Sequence, residues 1–150
     1  MVKNPHKVNF SYRDNLWQGS DLLATGIVSF GHVSGIHYQN HPEWEQYCGA
    51  LEAGELPLSR GLELSQHQRL VREMILQLKR GYLNIEYYRN KYDVDILEQW
   101  PEAWAEYEHD EFCTVDRAAN RIQLTREGLL QVDSLLPAFF EPQFQGVRYT

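Results

Sequence analysis

The sequence predicts an α+β fold, mostly helical and winged-helix-like, with a β-hairpin near the C-terminus. Three observations predict it. Leu70, Val71, Met74, Ile75 and Leu78 repeat at helical spacing, an apolar stripe bounded by Ser65 and Gln68 in front and Gly81 behind. Phe112–Val115 and Arg121–Leu124 read as two strands joined by the turn Asp116-Arg117-Ala118-Ala119-Asn120. The order of signals is several helices, then this hairpin, then one more helix.

From the N-terminal side, Leu22 to Phe30 is a continuous nine-residue stretch, apolar at most positions. Continuous rather than alternating apolar character suits a strand covered on both faces. Such a strand needs sheet neighbours, and the hairpin is the one other clear strand pair. The expectation is therefore that the chain is part of something larger. Pro42 and Glu43 open a helix with Trp44, Tyr47, Cys48 and Leu51 on one face, stopping near Gly54. Residues 55–64 read as an extended connector. After the helix over 66–80, Asn84 caps a short helix, Asp93 starts another through Ile96, Leu97 and Trp100, and Pro101 restarts one through Trp104 and Tyr107. Thr125 caps a last helix carrying Leu129, Leu130, Val132, Leu135 and Leu136. Composition shifts near residue 42, so two segments are expected: 1–45, a strand with a polar His/Gly loop, and 46–150, the helical domain.

A chain of 150 residues has room for one domain or one with a short appendage. Hydrophobic residues make up 43% and charged residues 23%, a globular balance. No apolar run approaches the ~20 residues of a membrane span, so no membrane partner is expected. The net charge of −7 argues against nucleic acid. That charge is uneven. Residues 60–91 hold seven Lys and Arg, whereas residues 93–116 hold nine acidic side chains and no Lys or Arg. The two cysteines, Cys48 and Cys113, make no disulfide framework and fit a cytoplasmic location. They are too few for any site that needs three thiolates from this chain.

An ordered series of motifs runs along the chain: Leu23-Ala24-Thr25-Gly26-Ile27-Val28-Ser29-Phe30, His37-Tyr38-Gln39-Asn40, Tyr47, Leu51-Glu52-Ala53-Gly54, Arg60-Gly61-Leu62-Glu63-Leu64-Ser65 and Ile122-Gln123-Leu124-Thr125-Arg126-Glu127-Gly128. The series resembles the C-terminal portion of the oxygen-independent coproporphyrinogen III oxidase and heme chaperone family of radical SAM proteins. Arg13-Asp14-Asn15-Leu16-Trp17 resembles a further family region loosely. Two departures stand out. Ala24 replaces the first glycine of a Gly-x-Gly, and the Cys-x₃-Cys-x₂-Cys cluster motif is absent. The resemblance implies that the strand at 22–30 is the last strand of a radical SAM barrel truncated here. The chain would then be the substrate-covering domain, with the barrel of the same parent protein as its partner and a tetrapyrrole as substrate. S-adenosylmethionine and a [4Fe–4S] cluster would belong to the parent, with no cofactor held by this chain alone.

Within that frame, Arg60, His37 and Asn40 are expected to bind substrate, and Gln39 and Leu62 to contact a cofactor. A guanidinium beside Gly61 suits bidentate binding of a carboxylate. The amides of Gln39 and Asn40 offer donors and acceptors together, and capping of the loop before Pro42 is their simpler role. Leu62 suits packing on a ring, or ordinary core. His32, His37 and His41 match no standard zinc spacing. Trp17, Trp44, Trp100 and Trp104 read as core, and Glu102, Glu106 and Glu108 as a solvated helix face. No catalytic residue is expected in the chain. Two other classes stay open: an interaction module of winged-helix type that binds nucleic acid or protein, and a heme-binding or heme-transfer domain using the histidine loop.

Overall fold

A computed structural model describes residues 11–144, and the outermost residues of both expected segments lie outside that range. The chain forms two compact units that divide after Ser65, whereas the two expected segments meet at 45/46.

The first unit begins with α1 (Ser11–Trp17) and is built on a three-stranded antiparallel sheet. Its strands are β1 (Phe30–Val33), β2 (Ile36–Asn40) and β3 (Leu58–Glu63), in the order β1-β2-β3, and α2 (Trp44–Glu52) links the last two. Ser34 and Gly35, with φ of 51° and 83°, make the two-residue turn of the β1–β2 hairpin. The expected connector at 55–64 is therefore largely a strand, paired with β2 from Ile36↔Glu63 to Asn40↔Leu58.

The expected buried strand at 22–30 is not there. Leu22 alone bridges to His32, and the chain then turns away. Gly26 (φ 95°) and Val28 (φ 62°) both take left-handed backbone, which a strand cannot contain. Apolar content without alternation could not separate a strand from an apolar loop. Leu23, Ile27, Val28 and Phe30 are exposed. Leu64 is the one buried core hydrophobic among the described residues of this unit, and α2 buries none of its side chains. Trp44, read as core, is 63% exposed.

The second unit closes a core. Its elements are α3 (Gln66–Leu78), β4 (Tyr82–Asn84), α4 (Ile85–Tyr92), α5 (Ile96–Gln99), α6 (Pro101–His109), β5 (Cys113–Asp116), β6 (Arg121–Leu124), α7 (Arg126–Leu130) and α8 (Val132–Leu135). The expected hairpin is present, and β4 joins it in the strand order β4-β6-β5. Leu70, Val71, Met74 and Leu78 of α3 are buried against this core, as their spacing requires. Trp100, Trp104 and Tyr107 surround Phe139, with ring centroids 4.8–5.9 Å away. The indole of Trp104 donates to Ile96 O (2.8 Å) and the Tyr107 hydroxyl to Leu135 O (2.6 Å), so both rings are buried with their polar ends satisfied.

Short polar side chains punctuate the helices. Asn84 accepts from Tyr87 N–H (3.2 Å) and Thr125 from Gly128 N–H (3.1 Å), both as the sequence predicts. The cap of α5 is Asp95, which accepts from Leu97 N–H (2.9 Å), and not Asp93. Asp93 instead ends α4 in the left-handed conformation, a role that Asx residues tolerate. Helix α7 packs closely on the base of the hairpin. A Cβ at Gly128 would lie 2.0 Å from Phe112 O.

Two measurements check this description. Gly128→Ala forces backbone apart at the hairpin base, and urea unfolding should show a loss of roughly 3 kcal/mol. Burial pushes the Asp95 carboxyl up, but the Arg89 guanidinium and Leu97 N–H outweigh it and hold it below its ordinary value. Its stabilisation is therefore complete above the unfolded carboxylate range and is lost as pH falls through the lowered folded value. Asp95→Ala should cost about 1 kcal/mol at neutral pH and flatten the acid side of the stability profile.

Candidate functional site

The register between β2 and β3 assembles the predicted residues. His37 pairs with Leu62, and Gln39 with Arg60. Residues directly opposite each other share a face of the sheet, and β1 adds His32 and Phe30 to that face through His32↔His37 and Phe30↔Gln39. Four of the five expected site residues therefore stand together, framed by Phe30. Arg60 Nε donates to Gln39 Oε1 (2.8 Å), which fixes the guanidinium on an exposed strand. Leu62 is 57% exposed beside it. The rings of His32 and His37 meet edge to face, with centroids 4.6 Å apart.

Asn40 is placed elsewhere. A register irregularity between Gln39 and Asn40 turns it into the protein, where it is 2% exposed. Its amide donates to Gly26 O (3.0 Å) and Ala24 O (3.4 Å). The loop at 24–29 is held on several further bonds. Ala24 N–H donates to the Tyr38 hydroxyl (2.8 Å), Gly26 N–H to the Tyr47 hydroxyl (2.9 Å) and Gln39 Nε2 to Val28 O (3.1 Å). Tyr38 reaches the loop across Gly31, where an added Cβ would strike its ring at 2.2 Å. The left-handed Val28 is held by its N–H to His41 O (3.1 Å). A β-branched residue in that region stores strain of about 1–3 kcal/mol. Tyr38 and Tyr47 carry no sequence signal for this role, because a tyrosine that clamps a loop looks like any half-buried tyrosine.

Chemically, the face offers a positioned guanidinium, an amide, an imidazole and two exposed apolar side chains. That set suits a flat, carboxylate-bearing molecule, with the fork of Arg60 as anion receptor and Leu62 and Phe30 as apolar support. Among the described residues, no group of three or more His, Cys, Asp or Glu is arranged to hold a metal ion. Cys48 is half-buried in the first unit. Cys113 is buried in the second, where burial pushes its thiol up to about 11.

The second unit contains a polar cluster that the sequence did not announce. Glu73 lies in the buried surface of α3, 2% exposed. It accepts from Gln77 Nε2 (3.1 Å), Lys91 Nζ (2.7 Å), the Tyr92 hydroxyl (2.7 Å) and the Tyr87 hydroxyl. Burial and the bonds to Glu73 push both phenols above their ordinary range. Burial opposes the charge on Lys91, but its bonds to Glu73 and Tyr87 outweigh that and hold its pKa high.

No protein-family model matches the chain. Sequence comparison finds a segment of oxygen-independent coproporphyrinogen III oxidases. The chain is 35% identical over 81 residues to that of Helicobacter pylori (strain J99), covering 51% of this chain and 17% of the relative. It is 27% identical over 136 residues to that of Pseudomonas aeruginosa, covering 87% of this chain and 29% of the relative. The fold is similar to coproporphyrinogen III oxidase from Escherichia coli, described as a radical SAM enzyme. The TM-score is 0.66 at 22% identity, over 80% of this chain and 28% of that one. The relatives and the solved structure that the chain is similar to are thus all coproporphyrinogen III oxidases. More narrowly, the chain resembles their C-terminal portion, and it spans less than a third of the length of the relatives it matches.

The clamp yields a local prediction. Asn40→Ala removes two donors from the loop, so amide exchange at Gly26 and Val28 should accelerate about tenfold or more, with exchange in α3 and β6 unchanged.

Proposed function

We propose that the chain is the substrate-covering part of a cytoplasmic radical SAM enzyme of tetrapyrrole metabolism, and that it does not turn over substrate by itself. The observation that carries this reading is similarity along 87% of the chain to an oxygen-independent coproporphyrinogen III oxidase of which it matches only 29%. The open apolar side chains of the first unit support it, because Leu23, Phe30 and Leu62 are suited to meeting a partner surface such as a barrel of the parent protein. The cluster would be held by cysteines outside this chain, since two cannot supply three thiolates.

In this reading Arg60 binds a propionate, with Gln39 holding the guanidinium in place and His37 beside it. Leu62 and Gln39 face S-adenosylmethionine or the edge of the macrocycle. Asn40 acts through the loop at 24–29, whose backbone it fixes behind the site. The second unit is read as a winged-helix module. Its support is the order helix, strand, helices, hairpin, with β6 between β4 and β5. Helix α6 carries Glu102, Glu106 and Glu108, all exposed, which disfavours insertion into duplex DNA.

The test compares the isolated chain with a chimera in which it replaces the matching part of the Pseudomonas aeruginosa relative. Supplied anaerobically with iron and sulfide, the isolated chain should show no iron–sulfur absorption band and should not cleave S-adenosylmethionine. The chimera should decarboxylate coproporphyrinogen III. In the chimera, Arg60→Gln should raise KM about tenfold or more, as expected for losing a charge-assisted carboxylate contact. Cleavage of S-adenosylmethionine by the isolated chain overturns the reading.

A further inference from the structure

The sheet of the second unit has a buried face and a solvent face, and the solvent face is organised. Tyr82, Gln123 and Thr114 stand in a row across it, and Asn84, Arg121 and Asp116 in the next. The Tyr82 ring carries two guanidiniums. Arg121 Cζ lies 4.6 Å and Arg80 Cζ 5.5 Å from its centroid. Gln123 fixes one of them, because its Oε1 accepts from Arg121 Nη2 (2.7 Å) and Nε (3.2 Å) while its Nε2 donates to Gly81 O (2.8 Å). Neither guanidinium forms an ion pair with a described carboxylate. Asp116 stands opposite Arg121 in register, but its Oδ1 accepts from Ala119 N–H (2.9 Å) and closes the hairpin turn.

We propose that this face docks an acidic, partly apolar peptide segment of a partner protein. Stacking on a ring holds a guanidinium flat and leaves its N–H edge for an oxyanion. Arg80 offers its whole fork, and Arg121 the edge that Gln123 does not use. Charge complementarity therefore selects carboxylates. Two features select a peptide over nucleic acid. Leu129, 44% exposed, adjoins Gly81 at the rim and supplies an apolar contact. The chain's net charge of −7 and the acidic run over 93–116 repel a long phosphate backbone, whereas a short segment with one or two carboxylates fits between.

Fluorescence anisotropy with the full chain tests this. The probe is a short labelled peptide built of Glu, Leu and Ser, compared with the same peptide carrying Lys for Glu. The acidic peptide should bind saturably and the basic one should not. R80Q/R121Q should weaken binding roughly tenfold, the loss expected for two exposed charge-assisted hydrogen bonds. R117Q, which removes a charge from the adjacent turn, should leave it unchanged. Y82L keeps the net charge but removes the ring on which both guanidiniums lie, and it should also weaken binding. No binding of the acidic peptide, equal affinity of R80Q/R121Q and the unsubstituted chain, an equal loss in R117Q, or displacement of the peptide by duplex DNA at lower concentration would each overturn the proposal.

Discussion

The candidate site depends on one constraint, the register of β3 against β2. Side chains alternate along a strand, so a slip of one residue moves Arg60 and Leu62 to the opposite face from His37 and Gln39. The hydrogen bond from Arg60 to Gln39 exists only in the observed register. The same register brings the irregularity to Asn40, which turns that side chain inward to hold the loop at 24–29. Strand pairing, the guanidinium and the loop are thus three consequences of one alignment. The alignment is secured by backbone bonds and polar side chains, because the first unit has almost no apolar core to secure it.

That arrangement explains what could be read from the sequence and what could not. The second unit was legible because its signals are local. A stripe at helical spacing, two short polar caps and a turn between β-rich runs each specify their own neighbourhood. Asp93 and Asp95 both suit a helix boundary. Only the chain's path shows which one ends α4 and which one starts α5. The first unit was less legible because its order is non-local. Leu22 to Phe30 has a strand's composition, but Tyr38, Tyr47 and Asn40, far along the chain, decide its conformation. Four of the five expected site residues share a face, which follows from pairing β2 with a β3 that reads as a connector. Glu73 was invisible for a related reason. Its partners Tyr87, Lys91 and Tyr92 lie on α4, and nothing within α3 marks a buried carboxylate.

The Glu73 cluster shows how the second unit tolerates a carboxylate in its interior. An unpaired buried charge would cost several kcal/mol, and four donors surround this one instead. The neighbouring Tyr88 hydroxyl is buried with no hydrogen-bond partner among the described residues, and burial pushes its pKa well above the usual phenol range. One phenol is left unsatisfied while two others satisfy the carboxylate. The consequence is a fixed rotation of α4 relative to α3, since Tyr87, Lys91 and Tyr92 reach Glu73 together in one orientation.

The two units thus reach order by different means, and the difference bears on function. The second is closed by apolar burial, so its solvent face can carry charge without endangering the fold. The first is closed by hydrogen bonds around a strained loop, and its apolar side chains remain outside. Hydrogen bonds exposed to water contribute little net stability, whereas the same bonds shielded from water are strong. A surface laid over Phe30, Leu62 and the 24–29 loop would therefore do two things at once. It would bury the apolar side chains, and it would strengthen the bonds that position Arg60 and Gln39. Organisation of the site and coverage of the site would then be the same event.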